Sequence, residues 1–236
     1  GVGIDTNGKS FYLYGKLIAE NTEESDAITG SGRIYLYGGT LELTNASIRS
    51  GYFYMYNAST LEMTGGVFDT GNGSLYAGSA ECVVSLTGVE VKDNIYSSGT
   101  LELTDVTSTG RIEAYGSTTL DGVSCTSLYV DSDSDVSVGE GGLTLTGEEA
   151  IRLTNTFTGD TARLFELGAT ITAENAYVGL YSLGNCTLNA LPESLSGGYK
   201  VMDSRTVIDT GKTVALADGV GIDTNGKSFY LYGKLI

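Results

Sequence analysis

Three aspartates at alternate positions, Asp131, Asp133 and Asp135, come nearest in this chain to the spacing of metal ligands. Carboxylates on every second residue can converge on one hard cation, as the opening ligands of a calcium loop do. A glycine at the sixth position and a glutamate at the twelfth would complete such a loop, but Val136 and Gly142 stand there. The GGxGxD nonapeptide of calcium-binding β-rolls is also absent. The stretch DSDSDVSVGEGG therefore reads first as a solvated acidic loop. Calcium is kept as the alternative, and no other cofactor is expected.

Catalysis finds little to work with. The chain has no His, so the usual general base at neutral pH and the commonest zinc ligand are missing. Its 13 Lys and Arg stand singly, which leaves few partners for the acidic residues in a polysaccharide-cleaving cleft. The expectation is a protein that is not an enzyme. Cys82, Cys125 and Cys186 are odd in number and widely spaced, so free thiols are predicted rather than a disulfide framework or a metal knuckle. The Asn-x-Ser/Thr sequons at Asn45, Asn57, Asn72 and Asn185 matter only in a eukaryotic secretory host.

Tyrosine offers a different chemistry. Tyr14, Tyr37, Tyr56, Tyr76, Tyr96 and Tyr115 each follow an apolar residue, at intervals of 23, 19, 20, 20 and 19 residues. Strand alternation would turn all six outward as one exposed aromatic ladder, widened at its start by Tyr12, Tyr35 and Tyr54. Such a stripe either steadies neighbouring strands or serves as a contact surface for a glycan, a host-surface protein or a second copy of the chain. A second outward pattern, Glu42, Glu62 and Glu102 each between threonines, resembles an ice-binding threonine face interrupted by hydrated carboxylates. Its plainer reading is strand propensity plus solubility.

The elements that must hold these residues follow from repetition. After each tyrosine phrase comes a second one: Leu41-Glu-Leu-Thr, Leu61-Glu-Met-Thr, Val84-Ser-Leu-Thr, Leu101-Glu-Leu-Thr and a worn copy at Thr118 to Asp121. Five residues past the second apolar position of each phrase lies a third column: Ile48, Phe68, Val91, Ser108 and Cys125. Three short alternating strands in every 20 or so residues predict an all-β fold, a single-stranded parallel β-helix or solenoid in which each strand pairs with its equivalent one coil away. At roughly 4.8 Å per coil, about 11 coils would make a rod on the order of 50 Å long. The core is expected to be ladders of Leu, Ile, Val, Phe and Met.

The whole of 1–236 reads as one continuous β-helix: regular coils over 1–130, looser ones over 131–218, and 219–236 as the first coil of another 218-residue unit. That last expectation arises because GVGIDTNGKSFYLYGKLI occurs both at residues 1–18 and at 219–236. A designed duplication of one end would give the same letters. In the looser part, strands are predicted at Leu143 to Thr146, Ile151 to Asn155, Arg163 to Leu167, Val178 to Leu183, Thr206 to Thr210 and Thr213 to Ala217. A helical turn is the alternative for Glu148 to Leu153.

With this coil length and these ladders, about half of the chain resembles the right-handed parallel β-helix proteins of bacterial surfaces, such as autotransporter passengers and repetitive adhesin stalks. The resemblance implies a secreted or cell-surface location. It implies a structural repeat segment of a stalk or adhesin that extends a terminal domain, with a carbohydrate-binding or calcium-dependent adhesive module as the alternative. Ice binding and polysaccharide cleavage rank below both. Neighbouring tandem units are the expected first partners. The net charge of −16 would repel nucleic acid and anionic headgroups, and no apolar run is long enough to span a bilayer.

Overall fold

A computed structural model describes residues 3–71, 73–131, 134–154, 156–203 and 206–236, so Asp133 and the sequon residue Asn72 lie outside the described residues. The chain is almost entirely short parallel strands, divided between two compact units, Gly1–Cys125 with Asp135–Leu143, and Thr126–Ser134 with Thr144–Ile236.

In the first unit each coil contributes to three columns of strands. The tyrosine column is formed by Phe11–Leu13, Arg33–Tyr37, Tyr52–Tyr56, Ser74–Ala77, Asn94–Ser97 and Ile112–Ala114, paired in parallel. The Leu-x-Leu phrases form the next column, with Leu41, Leu61, Val84, Leu101 and Thr118 in one row and Leu43, Met63, Leu86, Leu103 and Leu120 in another. Ile28, Ile48, Phe68 and Val91 lie in register in the third, which Thr107–Ser108 and Val123–Cys125 continue. Every one of these inward side chains is buried, because period-2 alternation sends them all to the space the three columns enclose. Phe53 and Phe68 meet edge to face across that space, 5.2 Å between centroids.

The corner that follows the Leu-x-Leu column shows how local chemistry permits the coil. Asn45, Gly65, Gly88, Asp105 and Gly122 are consecutive occupants of this corner, and all have positive φ, from 49° to 68°. Only Gly, Asn and Asp take this conformation cheaply. The side chains and the glycines also interlock. A Cβ at Gly65 would lie 2.8 Å from Asn45 Oδ1, and one at Gly122 would lie 2.5 Å from Asp105 Oδ1. Each polar side chain thus occupies the space that the glycine one coil on leaves empty.

In the second unit, Leu128, Ile151, Val178, Tyr199 and Ile222 form one inward row. Phe157, Leu183 and Ile208 form another, which ends in register at the exposed Leu231. Two expectations are corrected here. Arg163 to Leu167 is not a strand: Ala162–Phe165 forms one turn of α-helix, started by Asp160 Oδ1 accepting from Ala162 N at 2.8 Å and burying only Leu164. Glu148 to Leu153 is not a helical turn, since Glu149–Leu153 is a strand that places Ala150, Ile151 and Leu153 in the core.

The repeated eighteen letters give the same turns in different settings. Asn7 N and Asn225 N each donate to the aspartate two residues earlier at 2.8 Å, and both asparagines have positive φ. Yet Ile4–Asp5 shares a sheet with the strand Lys16–Thr29, whereas Ile222–Asp223 joins a different sheet from Phe229–Leu231 and Lys234–Leu235. The turns are dictated locally, while the sheet a strand enters is decided by which neighbour presents a free edge.

Candidate contact surface: the tyrosine face

Between the inward residues of the tyrosine column, the alternate positions all point outward. In Arg33–Tyr37 the buried residues are Ile34 and Leu36, and in Tyr52–Tyr56 they are Phe53 and Met55. Tyr35, Tyr37, Tyr54 and Tyr56 are therefore on the outer face, but they are half-buried rather than freely exposed. Parallel in-register pairing lays each ring on its equivalent one coil away. Tyr12, Tyr35 and Tyr54 stack at 5.1 and 5.3 Å, and Tyr14, Tyr37 and Tyr56 at 5.9 and 5.4 Å, with planes within 19°. Ring faces are consumed by neighbouring rings, and mainly edges and hydroxyls reach solvent. Tyr14, stacked from one side only, is 70% exposed.

The six expected tyrosines do not form a single row. Tyr76 opposes Tyr54, not Tyr56, and the backbone position opposite Tyr56 is Gly78. The observed rows are Tyr12, Tyr35, Tyr54, Tyr76 and Tyr96, which ends at Glu113, and Tyr14, Tyr37 and Tyr56, which continues through Gly78 and Ser98 to Tyr115. Tyr76 leans across onto Gly78, where a Cβ would overlap its Cε1. Tyr96 leans the same way, its hydroxyl accepting from Ser98 Oγ at 3.2 Å, and stacks on Tyr76 at 4.5 Å. Small residues in the second row thus let one ring per coil cover both. Tyr115 ends the ladder by donating to Glu113 Oε2 at 3.0 Å, while Arg111 Nε holds Glu113 Oε1 at 2.7 Å. Burial and neighbouring phenols push the Tyr56 and Tyr76 hydroxyls above their ordinary value, so these two stay protonated through neutral pH.

Beyond Tyr54 the stack opens. Tyr52 is opposed by Ser74, and Tyr76 stands at 69° to Tyr54. The result is a notch of about 390 Å³ lined by Tyr52, Tyr54, Gly73, Ser74, Tyr76 and Asn94. Tyr52, 40% exposed, is the one large apolar side chain among the described residues that is exposed outside 12–18 and 230–236. Sequence reasoning gave Tyr52 no role, although its place two residues before Tyr54 was a usable signal.

The other candidate residues are placed as follows. Asp131, in the second unit, is buried, and its Oδ1 accepts from Ser134 N and Ser134 Oγ, both at 3.0 Å. Asp135, in the first unit, is exposed at the start of the strand Asp135–Val138. Among the described residues no group of three or more His, Cys, Asp or Glu side chains is arranged to hold a metal ion. Glu42, Glu62 and Glu102 lie in one outward row that Ser85 interrupts, and Lys16 Nζ sits 2.6 Å from Glu42 Oε1. Cys82, Cys125 and Cys186 are buried, and none is joined in a disulfide.

A second aromatic cluster, in the second unit, went unread in the sequence. Arg152 lies between the rings of Tyr129 and Tyr181, 3.9 Å from each centroid, and its Nη2 donates to Glu149 Oε2 at 2.6 Å. Burial and the adjacent Glu149 raise the Tyr181 hydroxyl well above its ordinary value. The guanidinium is already packed and paired, so the cluster acts as a clamp between coils. Among the described residues no helix is long and apolar enough to cross a membrane.

No protein-family model matches this chain, and no curated protein or solved structure does either. The fold and the face together define a parallel β-solenoid with an outward aromatic ladder.

Proposed function

We propose that this chain is a non-catalytic structural segment of a secreted or cell-surface stalk or adhesin, whose stacked coils extend a terminal domain and whose tyrosine face makes contacts. The observation that carries the reading is the face itself: ten tyrosines on six successive coils, outward and within ring-contact distance of one another. Soluble monomers seldom display an aromatic stripe of this extent without a use for it. The acidic balance of the chain supports an exposed role, since a net charge of −16 discourages unspecific association. Tandem units of the same chain are the proposed covalent neighbours, and neither nucleic acid nor membrane insertion is part of the reading.

Two experiments test it. Antibody raised against the segment should label intact cells of the producing organism, or its medium. The triple variant Tyr37→Ser, Tyr56→Ser, Tyr76→Ser should lose adhesion to surfaces that the parent protein binds while keeping its circular dichroism. Purely internal labelling, or adhesion unchanged in the folded triple variant, would contradict the proposal.

A further inference from the structure

We infer that the notch between Tyr52 and Tyr76 is a binding site for a neutral pyranose, one sugar residue of a glycan. The inference rests on reading the tyrosine face as a contact surface, and it assigns the specific chemistry to one place on that face. Elsewhere the ladder is a poor partner for sugars, because a pyranose packs its axial C–H groups against an exposed ring face, and stacked rings have spent theirs. At the notch this changes. Tyr52 and Tyr54 lie side by side, 6.1 Å between centroids and 9° from parallel, forming one wall of nearly continuous aromatic surface. On the preceding coil, Arg33 Cζ lies 5.4 Å from the Tyr52 centroid, whereas on the following coil the small residues Gly73 and Ser74 line the space beside Tyr52. Tyr76, turned at 69°, closes the far side.

The floor supplies what a sugar rim needs. Ser74 is followed one coil on by Asn94. Asn94 Oδ1 accepts from Arg111 N at 3.0 Å, which fixes the amide and leaves its N–H donors available, as is the Ser74 hydroxyl. A fixed amide and a rotatable hydroxyl beside an aromatic wall can orient ring hydroxyls, and 390 Å³ is within the range of about 300–1,000 Å³ of small-molecule sites. None of the six lining residues is charged, so the site selects a neutral sugar over an acidic one.

Chitotriose and cellotriose, with trigalacturonate as the acidic control, can be titrated while following tyrosine fluorescence and saturation-transfer NMR. Both neutral sugars should bind saturably, with dissociation constants on the order of a millimolar given so few contacts. Ser74→Tyr should complete the stack and fill the notch. That variant should keep the fold, since an added aromatic cross-strand pair favours it, and weaken binding by about tenfold or more. Tyr52→Ser should do the same by removing the wall, while Tyr14→Ser should leave affinity unchanged. Absence of saturation by either neutral sugar, or equal binding by folded Ser74→Tyr, would overturn the assignment. Equal losses in Tyr14→Ser and Ser74→Tyr would overturn the notch and leave the face as a whole as the contact surface. Concentration-dependent dimerisation that Ser74→Tyr abolishes without any sugar response would give the notch to a second copy of the chain and likewise overturn it.

Discussion

Replacing Gly88 and Gly122 by alanine separates two costs that the left-handed corner combines. At Gly88, φ is +63° and nothing lies within 4 Å of an added Cβ, so only the conformation is strained. A left-handed non-glycine residue costs about 1–2 kcal/mol, and the stiffer unfolded chain returns about 0.4–1 kcal/mol of that. Gly88→Ala should therefore destabilise by about 1 kcal/mol, or about 2–4 °C for a chain of this length. Gly88→Asn should cost less, because Asn visits this region readily. Gly122 has nearly the same φ, +66°, but its Cβ would lie 2.5 Å from Asp105 Oδ1. Displacing that carboxylate from its rotamer adds about 0.5–1.5 kcal/mol, so Gly122→Ala should cost roughly twice as much as Gly88→Ala. In an Asp105→Gly background the extra cost should vanish, a coupling that a double-mutant cycle reads directly. Urea unfolding midpoints measure all five variants. If Gly88→Ala proves as costly as Gly122→Ala, or Asp105→Gly leaves the difference intact, the interlocked corner is wrong.

Other expectations follow from the same packing. Leu103→Ala, at the centre of a buried ladder between Leu86 and Leu120, should lower the unfolding free energy by about 2–5 kcal/mol. Tyr35→Ser removes stacking with Tyr12 and Tyr54 on an outer face and should cost only about 0.2–1 kcal/mol per lost pair; a loss as large as that of Leu103→Ala would mean that the ladder belongs to the core. Burial pushes the Cys186 thiol up to about 11 and the Tyr199 hydroxyl up to about 12. Above their ordinary values of 9.0 and 10.0 the unfolded chain gives up these protons while the native chain keeps them. The stability due to these groups is thus complete below pH 9, and the unfolding midpoint should fall as pH rises from there toward 11–12. A midpoint flat across that window would contradict the burial of both groups. Iodoacetamide at pH 8 should leave Cys82, Cys125 and Cys186 unmodified in the native protein and alkylate all three in urea, as mass spectrometry can show.

The sequence was most legible where pattern and packing coincide. The Leu-x-Leu phrases and the column from Ile48 to Cys125 fall in register because each apolar position has only one face on which to be buried. Legibility failed where two registers satisfy the same pattern. Met55-Tyr56 and Phe53-Tyr54 are both an apolar residue followed by tyrosine, and spacing alone preferred the wrong one for pairing with Leu75-Tyr76. The interval of 23 residues from Leu61 to Val84, against 20 from Leu41 to Leu61, carried the missing information, because it shows that this coil is longer than its neighbours. In the second unit the difficulty was different. Ala162–Phe165 contains good helix formers and a single buried Leu164, so one helical turn buries it as well as a strand would. Tyr129, Arg152 and Tyr181 are far apart in sequence, and only coil stacking brings the guanidinium between the two rings.

The notch, and with it the pyranose site, depends on one alignment, Tyr76 beside Tyr54 and Ser74 beside Tyr52. Paired cysteines test that alignment directly, with the three native cysteines replaced by alanine. Directly opposed parallel positions lie within the disulfide range of about 4.4–6.8 Å between Cα atoms, whereas diagonal ones, about 7–8 Å apart, do not. Tyr54→Cys with Tyr76→Cys should close a disulfide under mild oxidation, detected as the loss of two hydrogen atoms in the intact mass. Tyr56→Cys with Tyr76→Cys should remain two thiols under the same conditions. Closure of the second pair and not the first would restore the single-row register and eliminate the notch.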